Sequence, residues 1–413
     1  MSLSPPQRLL IGSAFLGLFL FGFQSGAWGI ILPDLMVFYH LTPATVGPFF
    51  VASALGYVCA VLSSGQMIEK WSIYHVMILG ALILLLNTFI LGMMPPLLIA
   101  IGAYGLIGLG TGLLDTSFTT MMAQFPRSAT WLNLSQAGFG IGGLIGPLTA
   151  GILLTTHWRW NSIFFLLGGL CLPLLLLCGL ARHLPRIAAN TSHVVSDARS
   201  IQKQGHMLWL ATLASPQVWL IGVFIASQAG LHGVLSSWLY SFALNERHLT
   251  PSFASILMSG FWISLLFARL FLHALAERFH LSRTNLIFAC LGGITLGLVL
   301  FWLLPGGTGV VVFSLLVGLS EGPIYPTVIS LVPHLVEKPL LVRSLSLMMT
   351  MNIVGVSLLP LSAGALIQQI GFWTVPLYLL GLTGIMLSIW WRLGRHDARG
   401  EAVKISSAEN RVH

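Results

Sequence analysis

Long apolar runs separated by short polar turns make up nearly the whole chain. A bilayer core is crossed by about 20 helical residues, and twelve of the runs reach that length. Because every backbone polar group must be paired inside lipid, each run predicts a helix. The predicted spans cover approximately residues 9–37, 44–66, 75–95, 97–124, 131–155, 161–181, 216–244, 252–275, 285–304, 309–336, 344–370 and 373–392.

The composition excludes a water-soluble fold. Charged residues make up 7% of the chain and hydrophobic residues 56%, whereas roughly 25% of the residues of a soluble domain are charged. The four cysteines lie within apolar runs and do not show the paired spacing of metal ligands. We therefore expect no disulfide, no metal site and no cofactor.

The placement of the basic residues predicts the orientation in the membrane. With the N-terminus in the cytosol, 16 of the 19 Lys and Arg residues fall on the cytosolic side. Arg159 and Arg247 fall outside, and Arg269 lies near the inner end of the eighth span, from which its side chain could reach the cytosol. We therefore expect a multi-pass protein of the cell (inner) membrane with both termini cytosolic. The net charge of +8 then reflects topology and contact with anionic lipid, and not nucleic-acid binding.

The chain contains two similar halves. Gln24–Gly29 in the first span resembles Gln228–Gly233 in the seventh, and Gly146–Gly151 in the fifth resembles Leu359–Gly364 in the eleventh. A polar segment from about residue 182 to residue 208 separates the halves. We therefore predict an all-α membrane protein of two pseudo-symmetric six-helix bundles. The N-terminal bundle covers residues 1–181, a cytosolic linker covers 182–208, and the C-terminal bundle with a short tail covers 209–413.

Two acidic residues fall well inside predicted spans, Asp115 in the fourth and Glu321 in the tenth. An ionisable side chain in lipid costs at least roughly 2.5 kcal/mol on insertion scales, so it needs a partner, a proton or a water-filled cavity. Burial in an apolar site favours the neutral form of a carboxyl group, which suits proton transport. Both residues are candidates for proton coupling. The alternative is that either one only hydrogen-bonds a neighbouring helix.

Polar and aromatic residues on several spans are candidates for solute binding. Amides both donate and accept hydrogen bonds, and an aromatic ring can cover the apolar face of a sugar, so their joint placement favours a polyhydroxylated solute. Any single Trp or Tyr could instead fill a packing position. The candidates are Gln24, Trp28, Tyr57, Asn133, Gln136, Gln228, His232, Trp238, Trp262, Tyr325 and Asn352.

Several segments resemble the fucose/galactose/glucose proton symporter branch of the major facilitator superfamily. They include Gly108–Asp115, Leu132–Pro147, Gly230–Trp238, Ser259–Arg269 and Gly318–Thr327. The resemblance implies a proton-coupled sugar transporter that works by alternating access, with its site between the halves. The chain departs from that branch at Thr119, Gln136 and His232, where Asn, His and Glu are usual. The resemblance further implies a cytosolic latch at Glu69 and Lys70, with Glu277 and Arg278 as their counterparts.

Two other functions stay open at this point. The glycines and proline of the fifth span have a spacing similar to that of proton antiporters that export drugs or other hydrophobic molecules. A non-transporting membrane sensor or scaffold would need a soluble output domain, and the longest polar segment is too short for one. Motifs for phosphate binding or nucleophilic catalysis are lacking, so we do not expect an enzyme. The expected partners are a small solute, protons and membrane lipid, and we expect a monomer.

Overall fold

The protein is a bundle of α-helices in a computed structural model. The structure describes residues 5–122, 125, 128–182, 205–272, 278, 281–304 and 306–409. The first six helices pass up and down the bundle in order. They are α1 (Pro5–Phe38), α2 (Gly47–Trp71), α3 (Ile73–Gly92), α4 (Leu97–Met122), α5 (Ser128–Thr155) and α6 (Ser162–Ala181).

The second half begins with a short helix and then repeats the up-and-down order. Its helices are α7 (Gly205–Ala214), α8 (Pro216–Asn245), α9 (Pro251–Phe267), α10 (Arg283–Leu303), α11 (Gly306–Glu321), α12 (Ile324–Leu335), α13 (Leu341–Ile370) and α14 (Thr374–Glu409). A π-helical segment, Ala268–Leu272, continues α9. Residues 183–204 of the predicted linker lie outside the described part, and α7 begins inside the interval predicted as linker.

Twelve helical stretches of the described chain are long and apolar enough to cross a membrane, which confirms the predicted all-α membrane fold. Two of these stretches contain a local break in the α-helix. One combines α9 with the π-helical segment, and the other combines α11 with most of α12. Pro323 lies between α11 and α12, and its missing N–H prevents a continuous hydrogen-bond ladder. The break leaves Glu321 at the end of α11.

The same helix pairings recur in the two halves. Helix α1 packs on α5 where the backbone of Gly22 approaches the Phe139 carbonyl, and α8 packs on α13 where Gly355 approaches the Ala226 carbonyl. A Cβ atom at either glycine would overlap that carbonyl, so only glycine permits this approach. Helices α2 and α4 pair in the first half as α9 and α11 do in the second. This repeated packing is the structural counterpart of the internal sequence similarity.

Contacts between the halves lie from the middle of the bundle to one of its ends. We call this the first-loop end, because it carries the loop of residues 39–46, and we call the other end, where α1 begins, the terminal end. The Ser259 hydroxyl donates to the Leu144 carbonyl at 3.0 Å, and the Thr42 hydroxyl donates to Gln368 Oε1 at 2.6 Å. Gly29 of α1 also packs against the Ser236 carbonyl of α8. The halves are therefore held together at the first-loop end.

Candidate functional site

Asp115 lies on α4 and faces α2 within the first half. The Tyr57 hydroxyl donates a hydrogen bond to Asp115 Oδ2 at 2.6 Å, which is the short length typical of a charge-assisted bond. The Tyr57 ring stacks against Phe21 with centroids 6.5 Å apart, and Phe21 contacts Phe139 of α5 edge-on at 5.2 Å. The carboxyl group of Asp115 is thus held in an aromatic surrounding by one hydroxyl donor.

Glu321 ends α11 and is buried, with 2% of its surface exposed. Its Oε1 accepts a hydrogen bond from Gln228 Nε2 at 3.2 Å and lies 3.0 Å from His232 Nδ1. Its Oε2 has no hydrogen-bond partner among the described residues. Both partners come from α8, where they are four residues apart and so share one face of the helix. One carboxylate oxygen is therefore anchored and the other is available.

Trp262 of α9 joins the Glu321 group to the first half. Its ring meets His232 edge-on with centroids 5.2 Å apart and meets Phe139 of α5 at 5.5 Å. The ring also covers the backbone of Gly143, where a Cβ atom would overlap it. The side chain is fully buried, and its Nε1 has no hydrogen-bond partner in the described part of the chain. Trp262 therefore lies between the two halves.

Arg269 lies in the π-helical segment, about two turns closer to the terminal end than Trp262. It interacts electrostatically with Glu321 and Tyr325. The close approach of the chain just after α11 to this segment depends on Gly322, because a Cβ there would lie 2.7 Å from the Ala268 Cβ. Single π-helical turns within α-helices are frequent at functional sites. The arginine that interacts with the buried carboxyl group thus lies at a local departure from α-helical geometry.

Sequence reasoning missed this role of Arg269. The position near the end of a span predicts a side chain directed to the cytosol, whereas Arg269 lies within electrostatic reach of Glu321 and Tyr325. One signal was available, since Arg269 follows Trp262 by seven residues and so falls on the same face of the helix. The π-helical turn that sets its final direction has no sequence signature of its own.

Tyr325 connects the acidic groups of the two halves. It interacts electrostatically with Asp115 of α4 and with Arg269 of the π-helical segment. The hydroxyl of Tyr57 also lies within the electrostatic range of Tyr325. These residues form one group, which we call the central cluster. It consists of Tyr57, Asp115, Gln228, His232, Trp262, Arg269, Glu321 and Tyr325.

Other candidate residues lie apart from the central cluster. Trp28 stacks on Tyr104 of α4 with centroids 4.4 Å apart, and Gln24 interacts with the same tyrosine, so both face the interior of the first half. Trp238 is buried and donates its Nε1 to the Pro360 carbonyl at 2.9 Å, which is a packing contact within the second half. Gln24 Oε1 and Trp28 Nε1 have no hydrogen-bond partner among the described residues, and both side chains line a small cavity inside the first half.

The remaining candidates lie on α5, on α13 and at the terminal end. Gln136 is exposed on α5 and Asn352 is half-buried on α13, whereas the side chain of Asn133 lies outside the described part. Of the predicted latch, Glu69, Lys70 and Arg278 are exposed, and Glu277 lies outside the described residues. Across the part of the chain that the structure describes, no three His, Cys, Asp or Glu side chains are grouped as metal ligands.

Comparison with known proteins gives the family. The model of the Major Facilitator Superfamily matches residues 14–340 and 242–410 in two overlapping stretches. A relative from Saccharomyces cerevisiae, Bypass of stop codon protein 6, is 23% identical over 421 residues, covering 94% of this chain and 83% of the relative.

Two solved transporter structures share the fold. The nucleoside transporter NupG superposes with a TM-score of 0.70 at 17% identity, covering 94% of this chain and 99% of that one. A D-xylose-proton symporter superposes with a TM-score of 0.72 at 13% identity, covering 92% and 97%. At such identities the likeness is one of fold alone. Together with the family match over most of the sequence, the twelve spans identify the chain as a membrane transporter that belongs to the Major Facilitator Superfamily.

Proposed function

We propose that this transporter moves a small solute, with a sugar as the first class to test, by proton-coupled alternating access. The observation that carries the proposal is the arrangement at Glu321. One carboxylate oxygen accepts a hydrogen bond from Gln228 and lies 3.0 Å from His232 Nδ1, while the other is buried without a hydrogen-bond partner among the described residues. A proton can therefore bind the second oxygen without breaking the contacts that hold the first. Buried acids of this kind commonly form proton pathways in transporters.

The second acid completes the proposed pathway. Asp115 lies in the opposite half, and Tyr325 interacts with it electrostatically. A change of charge at Asp115 alters the field at Tyr325 of the other half, so protonation can favour one arrangement of the halves over another. In our proposal, the electrostatic interaction between Asp115 and Tyr325 couples proton binding to solute movement.

The contacts between the halves support alternating access. They close the first-loop end through Ser259, Thr42 and Gln368. With both termini in the cytosol, as the basic residues predict, this conformation is closed to the outside. We propose that the central cluster alternates between the two sides as the contacts at the first-loop end break and others form at the terminal end.

Export of a hydrophobic molecule in exchange for protons is the second candidate. The aromatic rings of Phe21, Phe139 and Trp262 surround the acidic groups, as an apolar substrate would require. The same residues could cover the apolar face of a sugar. The direction of transport relative to the proton gradient separates these two functions.

A proteoliposome assay tests the proposal. Purified full-length protein is reconstituted and given an acidic exterior, and the uptake of labelled fucose, glucose and xylose is measured with and without a protonophore. Symport predicts accumulation that the protonophore removes. If no sugar accumulates while a preloaded hydrophobic dye leaves faster in response to an acidic exterior, the symport proposal is wrong and the export function is favoured.

A further inference from the structure

The central cluster contains a cation without a direct counter-ion. No acidic side chain of the described residues lies within 4.0 Å of the Arg269 guanidinium, because the buried Glu321 pairs with His232 and Gln228 instead. The Nε of Arg269 is buried and has no hydrogen-bond partner in the described part of the chain. Arg269 is half-buried as a residue, and a cation at membrane depth without a counter-ion is costly, so this arrangement favours the arrival of an anion.

The formal charges of the cluster indicate the charge of that anion. Asp115, Glu321 and Arg269 give a sum of −1 when both carboxyl groups are ionised and of +1 when both are neutral. The remaining titratable members, Tyr57, Tyr325 and His232, are counted as uncharged. The doubly protonated cluster therefore complements a single negative charge, whereas the ionised cluster repels it.

A second buried donor lies on the same transmembrane stretch as Arg269. Trp262 is fully buried, and its Nε1 has no hydrogen-bond partner among the described side chains and backbone groups. It lies two helical turns from Arg269 on the same face of one transmembrane stretch. A planar guanidinium matches the two oxygens of a carboxylate, and an indole N–H adds a donor for a further oxygen.

We propose that the solute is a small monocarboxylate whose carboxylate group binds Arg269. This inference rests on the proposed transport function and specifies the substrate class of the same site. Sugar acids and small aromatic acids both belong to this class. They differ in the group attached to the carboxylate, which is a polyhydroxylated chain or ring in one and an aromatic ring in the other. Protonation of Asp115 and Glu321 then precedes or accompanies binding of the anion, so that the solute enters a cluster of opposite charge.

Binding to purified full-length protein tests the proposal with pairs of acids and their primary amides. The probes are glucuronate with glucuronamide and benzoate with benzamide, and their dissociation constants are measured by calorimetry in detergent. We expect at least one acid to bind about tenfold or more tightly than its amide, since only the acid pairs with the guanidinium. Arg269→Gln should weaken binding of that acid by about tenfold or more and leave the amide unchanged.

Two further variants keep the result interpretable. Arg269→Lys retains the charge without the planar donors, so we expect intermediate affinity even if Arg269→Gln fails to fold. Arg159→Gln removes an exposed arginine in the loop between α5 and α6 and should bind as the wild type does. The proposal is overturned if both amides bind as tightly as their acids, or if neither acid binds. It is also overturned if Arg269→Gln binds the acid with the affinity of the wild type.

The outcomes separate this inference from the proposed function. Proton-driven accumulation of a neutral sugar without preference for any acid overturns the inference and leaves proton-coupled transport standing. Binding of an acid that requires Arg269, without any accumulation in response to a proton gradient, supports the inference and contradicts the proposed coupling.

Discussion

The indole ring of Trp262 lies directly on the backbone of Gly143, and this contact joins the two halves at the middle of the bundle. A Cβ atom at residue 143 would overlap the ring, which is already fully buried. Trp262 also contacts His232, a partner of Glu321. The packing between the halves and the proposed proton site therefore share one side chain.

Gly143→Ala should separate the halves at the first-loop end. The added methyl group overpacks a buried contact at a cost of about 1–3 kcal/mol, which is relieved when α9 moves away from α5. We expect spin labels at Arg159 and Glu246, both exposed at this end, to show a population at longer distance. Gly102→Ala is the matched control, because a Cβ there meets nothing within 4 Å. Identical distance distributions in Gly143→Ala and the wild type would show that the contact does not hold this conformation.

Gln368→Ala should weaken the closure of the same end. Gln368 Oε1 accepts hydrogen bonds from the Thr42 hydroxyl at 2.6 Å and from the Ala44 backbone N–H at 3.1 Å. Their loss costs about 1 kcal/mol, which shifts the equilibrium between conformations roughly fivefold. The same pair of spin labels measures the shift. The neighbouring Gln369→Ala is the control, and an equal shift in both variants would contradict a specific role of Gln368.

Tyr57→Phe should destabilise the protein only while Asp115 is present. The hydroxyl donates a 2.6 Å hydrogen bond to Asp115 Oδ2, and a bond to a charged group contributes about 1.5–3 kcal/mol. A double-mutant cycle of apparent Tm values at neutral pH, with Asp115→Asn as the second change, measures the coupling. Tyr74→Phe is the matched control for loss of a buried tyrosine hydroxyl. Additive changes in the cycle would mean that the bond contributes nothing to stability.

Gly322→Ala should disturb the position of Arg269. A Cβ at residue 322 would lie 2.8 Å from the Leu265 carbonyl oxygen, so the π-helical segment must move away from α11. We expect carboxylate binding and proton-driven uptake to fall together, because both depend on the cluster around Glu321. Gly260→Ala, where a Cβ makes an ordinary contact of 3.4 Å with Leu315, should retain both. Loss in both variants would point to a general packing defect.

The transmembrane helices could be predicted from the sequence for two reasons. Backbone polar groups in lipid must be hydrogen-bonded within a helix, and a helix needs about 20 residues to cross the bilayer. The predicted spans and the paired motifs of α1 and α8 depend on local composition, and a bilayer leaves few other solutions. The two buried acids, Asp115 and Glu321, stand out for the same reason, since an ionisable residue in an apolar run is rare.

The composition of the site was less accessible to sequence reasoning. Which face of a helix meets the other half depends on packing, and the sequence alone does not show that Gln24 and Trp28 have their neighbours inside the first half. The π-helical turn that brings Arg269 to Glu321 depends on a close approach of α11, a tertiary contact that local sequence does not encode.

A comparison of accumulation with exchange in Glu321→Gln tests whether Glu321 carries the proton that drives transport. The probe is whichever of fucose, glucose, xylose and glucuronate the wild type concentrates best in proteoliposomes with an acidic exterior. The account predicts that Glu321→Gln loses this accumulation but still exchanges labelled for unlabelled probe when no gradient is applied, because the amide keeps an anchored oxygen and cannot release a proton. Glu337→Gln, which alters an exposed carboxylate after α12, should retain both activities. Accumulation by Glu321→Gln at the wild-type level would contradict a proton-carrying role of Glu321. If the wild type concentrates none of the four probes, the proposed proton-coupled transport of these solutes is wrong.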